Sequence, residues 1–98
     1  DVARVCMELL EHEGELPQRL IVSGENETKI SDLVGMILKA MEHNKVKWRT
    51  DKPNGQMRRP TNKQVFQEFL PDFEYTDLYE AIKQTVDWFV ATYPNVRL

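Results

Sequence analysis

The chain has 98 residues, a formal net charge of −3, 41% hydrophobic residues and 30% charged residues. That is ordinary globular composition for one small domain, and it excludes a disordered polyelectrolyte and two full-sized independent cores. No apolar run approaches the roughly 20 residues that a membrane-spanning helix needs. The single cysteine, Cys6, excludes an internal disulfide framework and any multi-cysteine zinc site. It also points to a reducing compartment, so the expected location is cytoplasmic.

Val2, Val5, Cys6, Leu9 and Leu10 fall on one helical stripe, with Arg4, Glu8 and Glu11 opposite. On that stripe the Cys6 thiol is expected to be buried and structural. A helix that opens at residue one with no preceding cap reads as part of a longer protein. Residues 14–17 (Gly-Glu-Leu-Pro) end it. Leu20-Ile21-Val22 reads as a short buried strand closed by Ser23-Gly24. Ile30, Leu33, Val34, Ile37, Leu38 and Met41 then recur at helical spacing and predict an amphipathic helix to about His43, with Asn44 as its C-terminal cap.

Val46-Lys47-Trp48-Arg49 alternates apolar and charged residues, the pattern of a half-buried strand. Strand, helix and strand in about 30 residues predict a βαβ unit with two parallel strands. Pro53-Asn54-Gly55 marks a turn. Thr61 and Gln64 have capping-box spacing ahead of a short helix carrying Val65, Phe66 and Phe69, which Pro71 stops. Asp77 and Glu80 cap a last helix running to about Tyr93, with Leu78, Ile82, Val86, Phe89 and Tyr93 as its buried stripe. The expected fold is therefore α/β: a single small subdomain over residues 1–98, ordered helix, strand, helix, strand, helix, helix, with a short parallel strand pair.

The charge is uneven. Residues 1–43 carry nine acids and four bases, residues 44–70 seven bases and two acids, and residues 71–98 five acids and two bases. A cationic island in an acidic chain faces an anion or its own carboxylates. Lys52, Gly55, Arg58 and Arg59 lie in its irregular part, where backbone can approach a ligand and guanidinium groups can grip phosphate. Trp48 offers a flat face for a base or sugar. The acidic remainder disfavours nucleic acid.

Tyr79 and Lys83 have the Tyr-x-x-x-Lys spacing that puts a phenol and an amine on one helix face. No glycine-rich strand-to-helix turn precedes them and no serine is placed to complete the set, so no catalytic role is assigned. His12 and His43 fall at helix C-terminal ends, where an imidazolium suits the dipole. No metal ligand set is expected.

Lys52-Pro53-Asn54-Gly55-Gln56-Met57-Arg58-Arg59, then Leu70-Pro71-Asp72-Phe73, Ala81-Ile82 and Trp88-Phe89, resemble the C-terminal end of the GDP-L-fucose synthase family. The family pattern there is roughly Lys-Pro-Asp-Gly-x-x-Arg/Lys-Lys, a short helix and a Trp-Phe pair. Upstream, Ile21-Val22-Ser23-Gly24-Glu25 with Ile30 resembles its strand–loop–helix segment, and Asp1-Val2-Ala3-Arg4 the helix before it. The resemblance implies an NADP-dependent extended short-chain dehydrogenase/reductase. It would epimerise GDP-4-keto-6-deoxy-D-mannose at C3 and C5 and reduce it at C4.

The resemblance also implies that this chain is the substrate-binding part. The Rossmann domain and its catalytic groups would precede Asp1, and the chain alone would neither turn over nor hold NADP. The family's last basic motif residue, which meets the GDP diphosphate, falls on Arg59. Arg58, Gly55, Lys52, Asn54 (where the family has an acid) and Trp48 are the further substrate-binding candidates. The implied partners are a GDP-sugar and, for the parent enzyme, a second copy as a homodimer, with self-association of the chain itself and no membrane. The alternative is a small stand-alone module binding anions, nucleic acid or protein through residues 45–63.

Overall fold

The computed structural model describes residues 1–97, and among them four helices and no strand: α1 (Val2–Glu11), α2 (Ile30–Ala40), α3 (Gln64–Phe69) and α4 (Leu78–Thr92). The four helices stand where the apolar spacing predicts them. The βαβ unit does not form, and the α/β fold class is corrected to all-helical. Neither residues 20–22 nor residues 46–49 join a ladder. A strand exists only through a neighbour's hydrogen bonds, and these two segments belong to different compact units, residues 1–27 with 56–75 and residues 28–55 with 76 onward. Residues 46–49 are all exposed, Val46 at 49% and Trp48 at 53%, so they lack the burial that would stabilise them as a half-buried strand.

The first unit is anchored by Val5 and Phe66, 1% and 2% exposed, the two buried apolar side chains among the described residues. Phe66 meets Phe73 edge-on at 5.6 Å and Tyr75 at 6.0 Å, and Phe73 meets Tyr75 edge-on at 5.2 Å. The Arg4 guanidinium lies 5.0 Å over the Phe73 ring, and His12, the C-cap of α1, packs on Phe69 at 4.7 Å. Aromatic rings at these separations attract beyond their buried area, so a unit with only two short helices is held by side chains from its loops. Cys6 is exposed, contrary to its expected burial. The buried point of α1 is Val5, and one helix turn does not cover its neighbour on the stripe.

The second unit packs α2 against α4. Asp77 caps α4: its side chain accepts from the Glu80 backbone N–H at 3.0 Å, as the sequence predicts. Ile82, Val86 and Phe89 are half-buried, while Leu78 and Tyr93, at the two ends of the expected stripe, are exposed. α2 stops at Met41 rather than at Asn44. The Glu42 N–H donates to the Lys39 carbonyl and the His43 N–H to the Leu38 carbonyl, a Schellman closure that leaves Glu42 at φ 52°. At α3 the expected Thr61/Gln64 box is replaced: Lys63 is the N-cap, the Gln64 N–H donates to Asn62 Oδ1, and Thr61 turns elsewhere.

Candidate functional site: a basic segment divided at Gly55

The basic segment is cut by the unit boundary. Trp48, Lys52, Asn54 and Gly55 lie in the second unit, Arg58 and Arg59 in the first. All six are exposed. On the second-unit side, Arg49 pairs with Asp51 at 3.0 Å, and this guanidinium holds the Asp51 carboxyl below the usual aspartate range. Lys45, Lys47 and Lys52 form no ion pair among the described residues. Trp48 is 53% exposed beside them.

On the first-unit side, two loops are tied together. Arg58 Nε donates to both Glu27 carboxylate oxygens, at 3.2 and 2.9 Å, and its Nη2 lies 2.9 Å from Oε2. Thr61 Oγ1 bonds Ser23 Oγ at 2.9 Å. Lys63 Nζ donates to the Gly24 carbonyl at 3.3 Å and to the Glu25 carbonyl. These groups line a cleft of about 420 Å³ between residues 23–27 and 58–63. Three of the basic island's charges thus have different situations: Arg58 is occupied by a carboxylate, Lys63 by two carbonyls, and Arg59 by no hydrogen bond or ion pair among the described residues. Sequence reasoning names Arg58 and Arg59 but misses Glu27, Ser23 and Lys63 as their setting. The signal was the short polar loop after Val22, whose acids lie about 30 residues from the arginines in sequence.

Tyr79 and Lys83 are not joined by a ring contact or hydrogen bond; the cation over the Tyr79 ring is Lys39, at 4.8 Å. No group of three or more His, Cys, Asp or Glu residues among those described could hold a metal ion. No helix is long and apolar enough to cross a membrane.

The basic segment thus contains one guanidinium, that of Arg59, with no hydrogen bond or ion pair among the described residues. The chain is 30% identical to GDP-L-fucose synthase of Dictyostelium discoideum and 28% identical to a probable GDP-L-fucose synthase of Drosophila melanogaster, over 99% of its own length in both cases. The resemblance read from the basic loop and the Trp-Phe pair thus extends along the whole chain. The chain spans 31% of the length of each of these relatives. No family model matches it. No solved structure matches it either.

Proposed function

We propose that this chain supplies the GDP-sugar-holding part of a GDP-L-fucose synthase, with Arg59 as the diphosphate contact. The reading rests on one observation above the others: in the basic loop, Arg59 has no hydrogen bond or ion pair among the described residues, while its neighbour Arg58 is taken by Glu27. A guanidinium presents a planar fork of donors that matches two phosphate oxygens at once. Lys52, the Gly55 backbone, the Asn54 amide and the Trp48 face are further candidates along the same stretch of chain. The asparagine can accept or donate a hydrogen bond but adds no charge.

The reaction of the whole enzyme would be epimerisation at C3 and C5 and reduction at C4 of GDP-4-keto-6-deoxy-D-mannose, an NADP-dependent oxidoreductase chemistry. A ketone acidifies the C–H bonds beside it, because removing that proton leaves an enolate. This chain's share is binding: a fixed GDP end orients the sugar toward groups that act on it. Arg59→Ala is expected to weaken GDP binding about 10- to 100-fold, the cost of losing a charge-assisted contact. Titration calorimetry with GDP, and with AMP as the control, reads it. Equal affinity of Arg59→Ala and the parent chain contradicts the assignment.

A second reading is favoured by the exposed Trp48 beside the unpaired Lys45, Lys47 and Lys52: a stand-alone module that stacks a base and neutralises phosphates. It predicts RNA binding with a steep salt dependence, stronger than binding of GDP.

A further inference from the structure

We infer that Glu27 is a specificity-determining residue of the anion site: it occupies Arg58 and so fixes at one the number of guanidinium groups that this loop offers a diphosphate. The inference rests on the proposed role of Arg59. Arg58 and Arg59 are adjacent in sequence and chemically identical, yet only Arg58 faces a carboxylate, through three contacts of 2.9–3.2 Å. The Glu27 carboxylate acts as a resident competitor. A ligand that recruits Arg58 must displace it and accept a negative charge left nearby.

The pair does not carry the loop's placement alone. Thr61–Ser23 and the two Lys63–carbonyl bonds join the same two segments independently. Both partners of the ion pair are largely exposed, at 72% and 54% of their side-chain surface, so its own contribution to folding is small. Removing the carboxylate therefore leaves the loop tied and frees a second fork of donors. This sets the inference apart from a structural role, in which loss of Glu27 loosens the loop and weakens binding.

The test is titration of the protein with GDP and with pyrophosphate, comparing Glu27→Gln, Arg58→Ala, the double variant and Arg59→Ala across a range of salt. Glu27→Gln is expected to bind both ligands about three- to tenfold tighter, with a steeper salt dependence from the added ionic contact. Adding Arg58→Ala to it abolishes that gain. Weaker binding by Glu27→Gln, or a gain that survives the loss of Arg58, overturns the inference. If Arg59→Ala weakens GDP binding while Glu27→Gln leaves it unchanged, the role of Glu27 is wrong and that of Arg59 stands. If no variant differs from the parent chain, both fall together.

Discussion

The two compact units keep themselves together by different means. The first has two short helices, but it has buried anchors, Val5 and Phe66, an aromatic cluster, and polar ties between residues more than 30 apart in sequence. The second has two longer helices packed side by side, no fully buried residue among those described, and polar contacts that stay local, such as Arg49–Asp51 and Thr85–Ala81. Charge follows the same division. The first unit carries ten acids and five bases, net −5; the second carries eight bases and six acids, net +2. In the acidic unit Asp1 pairs with Arg4 and Glu27 with Arg58, while Arg59 and Arg19 have no ion pair among the described residues. In the cationic unit Lys39 lies over the Tyr79 ring, while Lys45, Lys47 and Lys52 form no ion pair among the described residues.

Burial is thin in both. The chain exposes 9137 Å² of accessible surface, whereas two compact units of half its mass would together expose about 7000 Å². Few side chains therefore carry much of the stability. Phe66→Ala should be the most damaging change, costing about 3–5 kcal/mol and melting the first unit. Ile82→Ala, on the half-buried face of α4, should cost about 1–2 kcal/mol, since only part of its surface is removed from water. Chemical denaturation compares the two. A larger cost at Ile82 would invert the contrast between the units.

Next in size, Arg58→Ala should change GDP affinity less than about threefold, because its guanidinium already has a partner, while Arg59→Ala has the large effect given above. Equal losses at the two arginines would erase the distinction between them. Smallest is a stabilising change. Glu42 closes α2 at φ 52°, a conformation that glycine adopts without the Cβ conflict, so Glu42→Gly should stabilise the second unit by about 1 kcal/mol. Thermal unfolding that leaves the midpoint unmoved or lowered contradicts this closure.

All four helices were legible because apolar spacing at 3.6 residues is local information, as with Ile30 to Leu38 on α2 and Asp77 capping α4. The strands were misread because a run such as Leu20-Ile21-Val22 says only that a segment is apolar and extended. Whether it pairs depends on a neighbour that the run does not encode. The thiol of Cys6 was misplaced for a related reason: a stripe says which side of α1 is apolar, not how far another element covers it. Arg58 and Arg59 were legible as candidates from charge and motif. That one is spent on Glu27 and the other is not is a contact 31 residues away in sequence, beyond what spacing reports.

The most direct test of the central claim is a two-dimensional amide NMR titration of the protein with GDP at physiological salt, with AMP and a short RNA as controls. The account predicts saturable shifts of the Arg59 amide and its neighbours with GDP, and smaller ones with AMP. Dispersed resonances that GDP leaves unmoved at Arg59, or that RNA moves more strongly than GDP, would contradict it.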